Sequence, residues 1–219
     1  MIPTLLWRCP LCSGDGTLAH STRRLRPDRL RCSRCGAEWR VRRILADDYY
    51  LKVVKGRSDV GRERSLREWY DLMKQNVRLV PVADSPIRLR PGELVYLVSR
   101  AADLTAEASD PLFFPARRPI DGVRLDKRTV EGAVVGRGRL VLTGQRLAWQ
   151  SNGEVYSFPL DRVNSVYALL DYGVALMVGM RLYIVCLLEE SPLRWINHMA
   201  LVAQQVEKET GHRIATSHY

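Results

Sequence analysis

The chain has 219 residues, of which 46% are apolar and 26% charged, a balance that can bury a core and excludes wholesale disorder. Its formal charge of +10 is concentrated at the front, where residues 1–43 hold ten Arg against Asp15, Asp28 and Glu38. No stretch reaches the roughly 18–20 apolar residues of a spanning helix, since Ala175–Leu188 is broken by Gly179 and Arg181, and Met1–Trp7 lacks the basic start of a secretory signal, so the expected location is cytoplasmic or peripheral at a membrane.

In chain order, the first feature is a pair of C-x-x-C knuckles, Cys9/Cys12 and Cys32/Cys35, in the pattern C-x2-C-x19-C-x2-C. Each knuckle turns two sulfurs toward one tetrahedral metal while backbone amides donate to those sulfurs. Disulfides in an oxidising compartment are the competing use of four Cys, and the doublet spacing favours metal. Four thiolates fill the tetrahedron of one zinc ion and leave no position for water, so the expected cofactor is structural. A segment this short buries little apolar area, and the metal would supply on the order of 10 kcal/mol gross toward folding it. Gly14 and Gly36 stand where a knuckle requires an unusual φ. The alternation Glu38-Trp39-Arg40-Val41 predicts a short strand after the second knuckle.

Residues 44–80 read as a connector. Within it, Ser65 and Glu68 have the spacing of a capping box. Leu66, Trp69, Tyr70, Met73 and Val77 share one helical face, so a helix is expected over about residues 66–77, ended before Pro81.

Residues 81–219 read as a mostly β domain closed by a helix. Strands are expected at Glu93–Ser99, Arg124–Val135, Gly138–Thr143, Gln145–Gln150, Glu154–Pro159, Val163–Leu170, Gly173–Val178 and Arg181–Leu188. Turn signals separate them at Gly136-Arg-Gly138, Thr143-Gly144, Ser151-Asn-Gly153 and Gly179; Asn-Gly suits a two-residue hairpin turn with positive φ at both centres. Ala101–Ile120, rich in Pro and Asp, reads as a long loop of the kind that serves interactions. A closing helix is expected over about residues 192–210, with Ser191 as cap, Pro192 in the first turn and Gly211 as stop.

These residues carry three resemblances. The knuckles match the zinc-ribbon family at all four ligand positions. Residues 90–211 resemble the pleckstrin-homology superfamily, within it the GRAM and bacterial PH-like domains. The residues that carry this are Gly138-Arg-Leu-Val-Leu-Thr-Gly-Gln-Arg-Leu-Ala-Trp149 and Ser157-Phe-Pro-Leu-Asp-Arg-Val-Asn-Ser-Val166. That likeness implies a small zinc ribbon followed by a PH-like β-barrel of about seven strands capped by one helix. Its lipid-binding members gather Lys and Arg in the first inter-strand loop; here that loop carries only Arg100, Arg117 and Arg118 beside Asp103, Glu107 and Asp110, which argues against a strong headgroup pocket. The ribbon with Ser65-Leu-Arg-Glu-Trp69-Tyr70 is also similar to a tail found in some bacterial glycerophospholipid acyltransferases. Their His-Asp motif is absent here, so this likeness implies an accessory part acting beside a lipid-modifying enzyme.

No catalytic constellation stands out. The four His (20, 198, 212, 218) form no metal-protease or acyltransferase pattern, His198 is expected on the solvated side of its helix, and Cys186 is expected in the core. The resulting expectation is a non-enzymatic binding or adaptor protein that docks onto a protein assembly or a membrane surface, with Phe113, Phe114, Arg117 and Arg118 as contact candidates. The alternative is nucleic-acid binding, with Arg23, Arg24, Arg26, Arg29, Arg31 and Arg34 on phosphates and Trp7 or Trp39 stacking on bases. Against it stand a solvated Arg-rich surface and a Trp39 that packs the small core.

Overall fold

The computed structural model describes residues 2–23, 26–45, 48–106, 133–170 and 172–218. The chain divides into two compact units, Met1–Val77 and Arg78–Tyr219.

The first unit opens with a single helical turn, α1 (Ile2–Leu5), and then builds a five-stranded antiparallel sheet in sequential order. Its strands are β1 (Leu18–Arg23), β2 (Arg26–Cys32), β3 (Glu38–Leu45), β4 (Asp48–Lys55) and β5 (Glu63–Ser65). The expected strand at Glu38–Val41 is the start of β3. Residues alternate across the sheet, so Leu30, Trp39, Val41, Leu51 and Val53 are buried on one face while Arg29, Arg31, Arg40 and Lys52 are exposed on the other. Helix α2 (Leu66–Gln75) begins with the capping box: the Ser65 hydroxyl accepts from the Glu68 amide at 3.2 Å, and the Glu68 carboxylate accepts from the Ser65 amide at 2.7 Å. Its Trp69 meets Trp39 edge-on at 6.1 Å and donates its indole N–H to the Leu51 carbonyl at 3.0 Å. Most of residues 44–80 are therefore not a connector. They add two strands and a helix to the first unit, and α2 covers that unit's own sheet.

The second unit holds β6 (Val95–Val98), β7 (Ala102–Ala106), β8 (Ala133–Thr143), β9 (Arg146–Ser151), β10 (Glu154–Pro159), β11 (Val163–Leu169), β12 (Gly173–Val178) and β13 (Arg181–Leu187). Helix α3 (Pro192–Thr210) and a final strand β14 (Ala215–His218) follow. The strands run β10-β9-β8-β7-β13-β12-β11-β14, and β6 also pairs with β8. All these pairings are antiparallel except β11 with β14. The outermost strands, β10 and β14, are not hydrogen-bonded to each other, so the sheet is open where a closed barrel was expected. Leu193, Trp195, Met199 and Val202 of α3 are buried, and the helix packs against β11, β12 and β14.

Two segments differ from expectation for physical reasons. Gly136-Arg-Gly138 lies inside β8 and bends it, so the first half of β8 pairs with β7 and the second half with β6 and β9. Gly136 has φ +131°, and a Cβ on Gly138 would stand 2.3 Å from the Gln150 carbonyl oxygen, so these glycines serve a strand bend and a close backbone approach rather than a turn. The expected loop Ala101–Ile120 begins with β7, whose alternating Ala102 and Leu104 are buried; the remainder of that loop, and the Arg124–Gly132 part of an expected strand, lie outside the described residues. The Asn152-Gly153 turn is as expected, with φ +48° and +85° joining Ser151 to Glu154 across the hairpin.

Candidate metal centre

The first knuckle follows α1 and closes when the Ser13 amide donates to the Cys9 carbonyl and the Cys9 amide to the Gly14 carbonyl. Arg8 pins its flank, pairing with Asp15 and donating to the Asn76 carbonyl at 3.0 Å. The second knuckle leaves the end of β2 and returns into β3, with the Gly36 amide donating to the Cys32 carbonyl and the Cys32 amide to the Ala37 carbonyl. Gly36 has the expected positive φ, +70°. Gly14 does not: Ser13 and Gly16 take the left-handed conformations, and a Cβ on Gly14 would lie 2.9 Å from Arg34 Cδ and 3.0 Å from Thr17 Cγ2.

This backbone brings the Sγ atoms of Cys9, Cys12, Cys32 and Cys35 within 4.8 Å of one another. Cys9 Sγ lies 3.9 Å from Cys35 Sγ, and Cys12 Sγ lies 3.7 Å from Cys32 Sγ. A tetrahedral zinc with bonds of about 2.3 Å requires sulfur separations of about 3.8 Å, so the donor set fits one such ion. No disulfide links any of these cysteines. Surrounding groups support the sulfurs: the Cys35 amide donates to Cys32 Sγ at 3.5 Å, and the Thr17 hydroxyl lies 3.2 Å from the same atom. Burial pushes the Cys9 and Cys35 thiols up. At Cys32 burial acts in the same direction but is outweighed by the Thr17 hydroxyl and the Cys35 and Arg34 amides, which bring that thiol down to about 6.

The other expected contacts are scattered. Arg29 and Arg31 lie on the exposed sheet face, where Glu38 pairs with them at 3.2 and 3.6 Å. Arg34 is exposed on the second knuckle, Arg23 and Arg26 end the β1–β2 hairpin, and Arg24 lies outside the described residues, as do Phe113, Phe114, Arg117 and Arg118. Trp7 and Trp39 are 4% and 0% exposed, so neither offers a ring for base stacking. His198 was expected in solvent and is 4% exposed, its Nδ1 2.7 Å from the Arg194 carbonyl one helical turn back. Cys186 is buried, as expected.

Two groupings were missed. Arg40, Arg42, Lys52 and Lys55 extend the exposed face begun by Arg29 and Arg31; the period-2 alternation through Trp39 and Val41 was the signal for the two Arg. In the second unit, Thr143 and Arg146 bind the buried Glu93. Arg146 Nε donates to Glu93 Oε1 at 2.8 Å and Nη2 to Oε2 at 3.1 Å, while the Thr143 hydroxyl donates to Oε1 at 2.8 Å.

Fold and site together define a mostly β protein of two units, the first organised around a four-thiol cluster able to hold a metal ion. No known protein family, no curated protein and no solved structure matches the chain.

Proposed function

We propose that this is a non-enzymatic binding protein in which a zinc-clamped ribbon acts as scaffold and a PH-like second unit docks onto a protein assembly. The observation that carries the scaffold reading is the donor set: four cysteine sulfurs gathered closely enough to fill, as thiolates, every position of one tetrahedral ion. Zinc would hold the two knuckles together and would supply no water for chemistry.

Strand order supports the PH-like reading of the second unit. The segments β6 and β7 act as one interrupted strand that joins β8 on one side and β13 on the other, and a long helix follows β13. A run of short antiparallel strands followed by one long helix is what the likeness to GRAM and bacterial PH-like domains implies. Thr143 and Arg146, which carry part of that likeness, are engaged with Glu93 inside the unit, so the motif reads as a structural device. The few basic residues in the first inter-strand loop favour a protein partner over a lipid headgroup.

Two measurements test this. Elemental analysis of reduced, purified protein should give about one zinc per chain, with the four knuckle thiols unreactive to a thiol reagent until a chelator is added. Vesicles containing acidic phospholipid should not carry the protein in flotation. Absence of stoichiometric zinc would end the scaffold reading, and flotation would end the protein-docking one.

A further inference from the structure

We propose that the exposed face of the β2–β3–β4 sheet binds the phosphate backbone of single-stranded nucleic acid. The face is defined by strand register. Arg29 stands directly opposite Arg40, and Arg40 directly opposite Lys52, so three cations form one row across three strands. In the flanking rows Arg31 and Lys55 stand on either side of Glu38, and Arg42 stands opposite Tyr50. The side chains of Arg29, Arg31 and Arg42 are 52%, 65% and 62% exposed.

Charge is not balanced within this face. Glu38 is shared by Arg29 and Arg31, and Glu63 pairs with Arg42 at 3.4 Å. Arg40, Lys52 and Lys55 form no ion pair among the described residues. Like charges directly opposite on neighbouring strands destabilise a sheet, and strands about 4.8 Å apart hold them inside the screening length of about 8 Å at physiological salt. The face therefore keeps an arrangement that costs stability and that a polyanion would relieve.

The spread of the cations selects the partner. A single headgroup or small anion requires donors converging on one point, whereas these six lie in a grid over three strands. A chain of phosphates matches a grid, and the Arg fork can hold two oxygens of one phosphate. The sheet surface suits a splayed single strand better than a duplex groove, with the half-buried Tyr50 beside Arg42 as a ring on which a base can stack. The contact set is centred on Arg40 and Lys52 and does not need Arg34 or the hairpin end at Arg23 and Arg26. It is independent of what the second unit binds.

The test is fluorescence anisotropy of the full, metal-loaded chain with a labelled mixed-sequence single-stranded RNA, from about 50 to 200 mM salt. Binding should weaken steeply with salt. The double substitution Arg40→Gln/Lys52→Gln should lower affinity about tenfold or more and reduce the slope of log affinity on log salt by about 1.4, at about 0.7 per lost phosphate contact. The control Arg162→Gln/Arg181→Gln removes two exposed cations from the second unit and should leave affinity unchanged. Because the test variant removes repulsion, its melting temperature should hold or rise, which separates lost binding from lost folding. No binding at low salt, equal losses in test and control variants, an unaffected test variant, or binding to acidic vesicles without binding to RNA would each overturn the proposal.

Discussion

Glu93 is 4% exposed, and its carboxylate is held by the Arg146 guanidinium, the Arg90 amide at 2.7 Å and the Thr143 hydroxyl. Arg146 also donates to the Arg88 carbonyl at 2.8 Å and the Ser157 hydroxyl at 3.0 Å, so four of its five N–H groups are used and the two buried charges are paired. Burial alone would raise the Glu93 pKa; the Arg146, Arg90 and Thr143 hydrogen bonds outweigh it and hold the carboxyl below its ordinary 4.5. A carboxyl depressed in the native state stabilises the fold above its unfolded pKa, and that contribution is lost as pH falls through the native value. The second unit should accordingly lose stability in acid, starting just below pH 4.5, which thermal melts across pH would detect. Arg146→Met leaves the carboxylate buried and unpaired and should cost roughly 3–5 kcal/mol at neutral pH. Burial would then dominate and raise the Glu93 pKa, so the variant should regain stability as pH falls, opposite in sign to the parent. A variant whose acid response matched the parent's would show that Arg146 does not set the Glu93 charge.

Among the elements, α2 makes the most direct statement about how the first unit holds together. Its capping box fixes where the helix starts, and that start sets Trp69 against Trp39 and Leu51. Ser65→Ala should cost about 1 kcal/mol, read as a lower unfolding midpoint for the first unit, while Ser65→Asp should retain most of the stability. Equal losses in both variants would contradict the cap's role. The same helix was legible in the sequence because capping and 3.6-residue periodicity are local signals. So was α3, whose Pro192 start and Gly211 stop, with φ +76°, stand where expected, although Ser191 caps by position and not through a side-chain capping hydrogen bond. The Asn152-Gly153 hairpin and the strands from β9 to β13 were legible for the same reason. What was not legible depends on distant partners. β5 is three residues long and exists because β4 lies beside it. β14 carries no apolar alternation and is held by parallel pairing with β11. The glycines of β8 read as a turn because a bend inside a long strand uses the same residue type as a reversal. At the metal centre the four ligands were legible from spacing, whereas the Thr17 contact to Cys32 Sγ was not, since nothing in the linear pattern marks that hydroxyl.

Across the whole molecule, the two units divide between different sources of stability. The first hangs its knuckles on four sulfurs; the second relies on a continuous apolar core under α3. Removing the metal with a chelator should therefore abolish hydrogen-exchange protection through β1–β5 and α2 while leaving the strands from β8 to β13 protected. Simultaneous loss in both units would show that they do not fold separately. The interrupted strand β6–β7 has a consequence for synthesis on the ribosome. The four knuckle thiols all precede β3, so they are open to a metal ion before the rest of the first unit is made. In the second unit, β7 pairs on one side with β8 and on the other with β13, whose residues 181–187 are made well after both. Until they emerge, β7 presents an open edge on its β13 side, and chaperone capture of nascent chains should peak in that interval.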